Sequence, residues 1–104
     1  MKPLPDGIFC TNDFVAAVCM RTLKEAGIRI PEDIAMVGFN NDAIAKLIDP
    51  TLTTINYPGI DMGEIAARNL INHLKGISNL QQTNTVIVRS ELIVRESSLK
   101  KGTK

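Results

Sequence analysis

The sequence contains no tryptophan, only 4% aromatic residues, a single histidine and two cysteines. Apolar residues still make up 44% of the 104 residues, so a hydrophobic core can form and must be mostly aliphatic. One histidine and no Cys-x-x-Cys spacing do not provide the ligands of a zinc site, and we expect neither a metal nor a cofactor. Cys10 and Cys19 are interpreted as buried, reduced thiols of a cytoplasmic protein.

Strong charge and long apolar runs are also missing. The net charge is +1, from 12 basic and 11 acidic residues, whereas a nucleic-acid-binding domain is clearly basic on one face. We therefore do not expect this chain alone to bind DNA. No apolar run approaches the roughly 20 residues that span a bilayer, and residues 1–5 lack the apolar segment of a signal peptide, so no membrane partner is expected. The length suits one small domain.

Two short apolar runs end directly in small polar residues. Residues 8–10 precede Asn12, and residues 34–39 precede Asn40, with a helix predicted over residues 13–26. This order predicts a βαβ unit. Because ligands bind at the carboxyl ends of parallel strands, we expect Asn12 and Asn40 to face one crevice. The alternative is that Asn12 only caps the helix and Asn40 only forms a turn.

The rest of the chain continues the alternation of strands and helices that is typical of an α/β fold. Pro58 suits the start of a second helix and Gly76 its end. The predicted elements are a helical turn at 43–48, a strand at 52–56, a helix at 60–75, and strands at 85–88 and 92–94. The second helix has an apolar stripe that we expect to be removed from water, formed by Ile60, Gly63, Ala67, Leu70, Ile71 and Leu74.

No set of residues for catalysis can be assembled from this sequence, and we expect no enzyme activity. Asp13 is interpreted as a first-turn residue stabilised by the helix dipole rather than as a catalytic acid. No phosphate-binding glycine motif follows either strand, and Ser97 lacks the context of a nucleophile elbow. A phosphoacceptor domain is an alternative, but it needs two acids after the first strand, and residues 11–13 supply one.

Five segments resemble, in their order, one known family. They are DGIFCTND at 6–13, KEAGIRIPEDI at 24–34, MVGFNND at 36–42, DPTLTTI at 49–55 and SELIVRES at 90–97. Over residues 5–98 the chain resembles the C-terminal part of the effector-binding domain of lactose-repressor and galactose-repressor (LacI-type) transcription regulators. The resemblance implies an α/β three-layer sandwich with a mostly parallel sheet, of the type I periplasmic-binding-protein-like kind, with its C-terminal lobe incomplete here.

The resemblance also implies a function and a division of the chain. Residues 5–57 would belong to the C-terminal lobe, 58–89 to the N-terminal lobe, and 90–98 to a strand that returns to the C-terminal lobe. The chain would bind a sugar-like or nucleobase-like effector and form a homodimer. Operator DNA would be bound only through an N-terminal headpiece that these 104 residues do not contain.

A periplasmic sugar-binding protein of a transport or chemotaxis system shares this fold and is the main alternative. A signal peptide encoded upstream would favour it, whereas a helix-turn-helix would exclude it. The closing segment SELIVRES favours the regulator.

The resemblance implies site residues as well. Asn12 and Asn40 match positions that hydrogen-bond the effector in the family. The family usually has an aspartate where this chain has Asn40, and an amide cannot act as an anionic acceptor, so the effector's identity cannot be copied from a relative. The dimer contact, for which core packing is the alternative, would involve Phe14, Ala17, Val18, Arg21, Ile44, Leu47 and Ile48.

Overall fold

The computed structural model describes residues 3–76 and 86–99, which divide into two compact units. The first unit contains the described residues up to Asn56 and those from Glu91 onward, and the second contains Tyr57 to Ser90. The elements in chain order are β1 (Gly7–Phe9), α1 (Asp13–Glu25), β2 (Ala35–Val37), α2 (Ile44–Leu47), β3 (Thr54–Asn56), α3 (Gly59–Leu74), β4 (Glu91–Ile93) and a 3-10 helix (Glu96–Ser98).

The strands of the first unit form the parallel arrangement that the sequence predicts. β1 pairs with β2 in parallel, with Phe9 opposite Val37. A parallel bridge joins Val37 to Thr53, just before β3, and β4 then pairs with β3 antiparallel. The α/β class with parallel strands is therefore confirmed, and β4 adds an antiparallel edge as many such sheets have.

Strands β1, β2 and β3 are shorter than the predicted runs, because the backbone leaves regular strand pairing near their ends. Hydrogen bonding nevertheless continues beyond β2. Gly38 N donates to Thr53 O at 2.8 Å, and Asn40 N donates to Ile55 O at 2.9 Å. The polar residues that follow β2 are thus still attached to the neighbouring strand.

Helix α1 begins and ends as its sequence predicts. Asn12 is the N-cap, and its side chain accepts a hydrogen bond from Val15 N at 2.8 Å. After the C-cap Ala26, Gly27 adopts a φ of 84°, a left-handed conformation that glycine reaches without steric cost. Ala16 and Met20 are fully buried, so this face of α1 covers the sheet.

The core of the first unit is small and contains no aromatic residue. Phe9 and Phe14 are instead 57% and 65% exposed. The buried apolar residues are Cys10, Ala16, Met20, Ile30, Ile34, Met36, Ala45 and Leu52.

In the second unit, the apolar stripe of α3 is exposed to water among the residues that the structure describes. No residue of α3 is buried, and Ile60 and Leu74 are 80% and 74% exposed. The expectation of burial is therefore not met within the described residues. Covering a large aliphatic side chain is worth about 1.5–3 kcal/mol, so this face retains a strong tendency to bind another surface.

The predicted strand at 85–88 is wrong for residues 86–88, which are in no strand, while Thr85 lies outside the described residues. A strand needs a neighbour for its backbone hydrogen bonds, and α3 is the only regular element among the described residues of this unit. No helix in the described parts of the chain has the length and apolarity to cross a membrane.

Candidate functional site

Asn12 and Asn40 occupy equivalent places after two adjacent strands. Asn12 lies three residues after the end of β1, and Asn40 lies three residues after the end of β2. Because β1 and β2 are parallel and directly paired, both residues follow the carboxyl ends of neighbouring strands. Ligand sites in open α/β sheets are found at such ends.

Asn12 is both a helix cap and an exposed polar group. Its Oδ1 atom accepts a hydrogen bond from Val15 N, so the predicted capping role is confirmed. The Nδ2 group makes no hydrogen bond to another described residue, and the residue is exposed. Capping therefore uses the acceptor of this amide and leaves its donor available to a ligand.

Asn40 has a backbone conformation that is rare for a residue other than glycine. Its φ is 120°. Such a conformation costs on the order of 1–3 kcal/mol and persists only where surrounding contacts offset that cost. Two contacts hold it here: Asn40 N donates to Ile55 O, and Asn40 Nδ2 donates to Asp42 Oδ1 at 2.8 Å. The half-buried side chain therefore keeps its Oδ1 atom as the acceptor that it can offer.

Asp13 does more than the helix-dipole interpretation assigned to it. The residue is fully buried at the start of α1, and its two carboxylate oxygens bind different elements. Oδ2 accepts from Asp42 N at 2.7 Å, and Oδ1 accepts from Thr54 Oγ1 at 2.7 Å. One carboxylate thus joins the first turn of α1, the loop after β2 and strand β3.

Gly38 is required by the close approach of Asp13. A Cβ atom added at Gly38 would collide with the Asp13 carboxylate and would lie 2.9 Å from Leu52 Cδ2. Real Cβ atoms do not approach other atoms so closely, and a buried backbone position cannot move away freely. The glycine therefore lets the β2 backbone pass directly over the buried carboxylate.

Arg95, which sequence reasoning did not single out, binds the loop after β2 from the end of the chain. Its Nη2 atom donates to Asn41 Oδ1 at 2.9 Å, and its Nη1 atom donates to Leu52 O at 2.9 Å. Asn41 itself has a φ of 53°, and its backbone N donates to Thr54 Oγ1 at 3.2 Å. Arg95 lies in the segment SELIVRES, so the resemblance of that segment to the family was the feature of the sequence that could have indicated its role.

Ser97 attaches the same segment to the middle of the sheet. This fully buried residue donates from Oγ to Met36 O at 2.6 Å and accepts from Thr53 N at 2.9 Å. No buried side-chain nitrogen or oxygen in residues 3–76 and 86–99 lacks a hydrogen-bond partner. The polar network around the strand ends is therefore complete, which favours a single conformation.

The residues proposed for a dimer contact differ in how exposed they are. Phe14, Val18 and Leu47 are 65%, 50% and 81% exposed, so they are not core residues of this unit. Ile48 is partly buried against the core, which agrees with the core-packing alternative for that position. The Arg21 side chain is exposed and pairs with Glu25 at 3.3 Å, while Ala17 and Ile44 are half-buried.

The site contains no described group of three or more histidine, cysteine, aspartate or glutamate residues that could hold a metal ion. Its functional groups are neutral amides held by a carboxylate and a guanidinium. Such a site can bind and orient hydroxyl groups through hydrogen bonds. It lacks, among the residues described, a nucleophile with an adjacent base.

Comparison with known protein families identifies the domain. The family described as the periplasmic binding protein-like domain matches residues 1–98. The chain belongs to this family. The match includes residues of both compact units.

The curated relatives are transcription regulators. The NTD biosynthesis operon regulator NtdR of Bacillus subtilis (strain 168) is 36% identical over 98 residues, which are 94% of this chain and 30% of NtdR. The lactose operon repressor of Rhizobium radiobacter is 38% identical over 96 residues, 92% of this chain and 82% of that protein. Like NtdR, most of the relatives matched are much longer, and the chain spans about 30% of their length.

Solved structures of transcription regulators also match this chain. A lac repressor dimer bound to operator and the anti-inducer ONPF aligns with a TM-score of 0.81 and 25% identity, over 92% of this chain and 28% of that one. Other matching structures contain cellobiose or D-xylulofuranose. The relatives also include PurR, CelR and ribose operon repressors, so the LacI-type family is confirmed, but the narrower lactose or galactose subtype is not.

We predict that Gly38→Ala destabilises the chain by about 1–3 kcal/mol, because the added methyl group overpacks the contact with Asp13. Urea denaturation followed by circular dichroism measures the change. Gly63→Ala is the matched control, since no atom lies within 4 Å of the added Cβ and alanine favours a helix. Equal stability of Gly38→Ala and the unmodified chain would contradict the close approach.

We predict that Asp13→Asn costs about 1.5–3 kcal/mol of folding free energy, because an amide cannot accept from both Asp42 N and Thr54 Oγ1. A role limited to the helix dipole would cost only about 0.3–1 kcal/mol. Urea denaturation separates these ranges. Asp6→Asn, at an exposed position of the same unit, removes the same charge and should be nearly neutral.

Proposed function

We propose that this chain carries the effector-binding and dimerisation part of a bacterial LacI-type transcription regulator, which binds operator DNA through a headpiece outside these 104 residues. The observation that supports it most directly is the pair of amides, Asn12 and Asn40, after adjacent parallel strands in a domain of this family. Such a regulator acts in the cytoplasm, where its operator is. The relatives named above are regulators, which disfavours the periplasmic sugar-binding alternative.

The proposed effector is a neutral, hydroxyl-rich molecule of the sugar class. Asn12 offers a donor and Asn40 offers an acceptor, and a hydroxyl group can satisfy both. The Asp42 carboxylate, which accepts a hydrogen bond from Asn40 Nδ2, disfavours an anionic ligand, because like charges repel at short range. Cellobiose and D-xylulofuranose in matching structures support this class over a nucleobase.

The proposed mechanism is closure of two lobes on the effector. We assign the first compact unit to the C-terminal lobe and the segment with α3 to the N-terminal lobe. The boundaries after Asn56 and before Glu91 support this assignment, as does the exposed stripe of α3, which needs the rest of a lobe to cover it. An effector that binds the closed form more tightly shifts the population toward it and so changes operator binding.

The proposed dimer contact uses the exposed apolar residues of α1 and α2. Phe14, Val18 and Leu47 are the strongest contributors, because they lose the most apolar area when covered. The lac repressor structure matched here is itself a dimer. Ile48 would contribute least, since it already packs against the core.

We predict that Asn40→Ala in the full-length regulator weakens effector binding by about 1–3 kcal/mol, the cost of leaving a buried ligand hydroxyl unpaired. A thermal-shift screen of neutral sugars identifies the effector, and calorimetry then measures affinity. Asp6→Ala, at an exposed position of the same unit, is the control and should leave the affinity unchanged. Unchanged affinity of the alanine variant would exclude Asn40 from the site.

We predict that the isolated 104-residue chain dimerises at roughly tens of micromolar through the α3 stripe, because burying each large aliphatic residue is worth about 1.5–3 kcal/mol. Light scattering measures the mass. Leu70→Glu with Leu74→Glu should abolish this pairing, whereas Arg68→Glu, on the same helix but outside the stripe, should leave it intact. A monomer whose α3 amides are protected from hydrogen exchange would refute the pairing.

A further inference from the structure

Asp42 connects the two amides of the candidate site. Its backbone N donates to Asp13 Oδ2 at 2.7 Å, and Asp13 follows Asn12 directly in the chain. Its side chain accepts a hydrogen bond from Asn40 Nδ2 at 2.8 Å. The carboxylate of Asp42 therefore lies at the same end of the sheet as both amides, in direct contact with one of them.

The hydrogen bond between Asn40 and Asp42 determines what each side chain can offer a ligand. A carboxylate only accepts, so the amide must present its Nδ2 group to Asp42 Oδ1 and keep its own Oδ1 atom free. The carboxylate has a second oxygen, Asp42 Oδ2, which accepts no hydrogen bond from any residue that the structure describes. The pair therefore presents two acceptor oxygens, one on each side chain.

The charge of Asp42 is not balanced by a basic side chain. Asp42 is half-buried, and no lysine or arginine in the described parts of the chain forms an ion pair with it. Arg95 approaches the same loop, but its Nη2 atom donates to Asn41 Oδ1. Hydrogen bonds to a charged acceptor are about twice as strong as those between neutral groups. Asp42 Oδ2 is therefore a stronger acceptor for a hydroxyl group than the amide oxygen of Asn40.

We propose that Asp42 is a specificity-determining residue of the effector site, whose Oδ2 atom accepts a hydrogen bond from one hydroxyl group of the sugar. This assignment rests on the proposed function, because it assumes a neutral sugar at the ends of β1 and β2. Asn40 then has two roles. Its Oδ1 atom binds the effector, and its Nδ2 group holds the Asp42 carboxylate in place.

Two acceptor oxygens require two donors on the ligand. A sugar supplies them with two of its hydroxyl groups, each of which can also accept a hydrogen bond from a donor such as Asn12 Nδ2. A deoxy sugar that lacks the hydroxyl group bound by Asp42 would leave a carboxylate oxygen removed from water without a partner. Sites that hydrogen-bond a particular hydroxyl group strongly reject the analogue without it for this reason.

A purely structural role, in which Asp42 only orients Asn40, makes a different prediction for two substitutions. Asp42→Asn keeps an oxygen that can accept from Asn40 Nδ2, but it removes the charge and replaces the free oxygen by an NH2 group. Asp42→Ala removes both oxygens. A residue that only orients Asn40 tolerates the first change and not the second, whereas a residue that binds the sugar tolerates neither.

The test measures sugar binding to the full-length regulator by calorimetry. The probe is the sugar that gives the largest thermal shift in a panel of glucose, galactose, ribose, xylose and cellobiose. We expect Asp42→Asn and Asp42→Ala each to weaken its binding about tenfold or more, because a charge-assisted hydrogen bond is lost. Asp6→Asn makes the same chemical change at an exposed position of the same unit and should leave the affinity unchanged.

Mono-deoxy derivatives of the probe sugar identify the hydroxyl group that Asp42 binds. The unmodified regulator should bind one derivative at least about tenfold more weakly than the probe sugar, and this difference should shrink in the Asp42 variants.

The assignment is overturned if Asp42→Asn binds the probe sugar as tightly as the unmodified regulator does, or if it discriminates against every deoxy derivative to the same extent. Asp42→Asn decides the matter alone where Asp42→Ala fails to fold. An unmodified regulator that binds no sugar of the panel would contradict the proposed sugar effector, and this assignment with it. Loss of the assignment alone is recognised by sugar binding that persists unchanged in Asp42→Asn.

Discussion

The buried carboxylate of Asp13 is the interaction on which the rest of the site depends. A buried charge without hydrogen bonds is strongly unfavourable, so its partners must be present for the fold to be stable. Those partners are Asp42 N and Thr54 Oγ1, one in the loop after β2 and one on β3. Because Gly38 passes directly above the carboxylate, the strand end is held from two sides.

This constraint explains how an unusual loop is maintained. Asn40 and Asn41 both have positive φ angles, and neither is glycine. Arg95 and Thr54 hold Asn41, while the backbone of β3 and Asp42 hold Asn40. A side chain held in this way is oriented before a ligand arrives, so binding does not have to pay for its ordering. The network thereby gives a neutral amide a defined direction at the strand ends.

Local features of this site could be predicted from the sequence. The apolar runs, the Asn12 cap and Gly27 gave the βαβ unit and the bounds of α1 to within one residue, because these signals lie within a few positions of the structure they specify.

Long-range contacts could not be predicted in this way. Asp13 meets Asp42 and Thr54 across 29 and 41 positions, and Arg95 meets Asn41 across 54. Hydrophobic periodicity carries no information on such polar pairs. The apolar stripe of α3 was predicted, but it stays exposed among the described residues, because amphipathic periodicity does not say which surface covers a stripe.

The central claim is that Asn12 and Asn40 bind one effector together at the ends of β1 and β2. Nuclear magnetic resonance of the full-length regulator with ¹⁵N-labelled asparagine and glycine tests it directly, during titration with the sugar that stabilises the protein. The account predicts that the side-chain amide signals of Asn12 and Asn40 shift together and saturate at one affinity, while the backbone signal of Gly27, beyond the far end of α1, stays in place. Saturable sugar binding that leaves both side-chain signals unchanged would contradict the account.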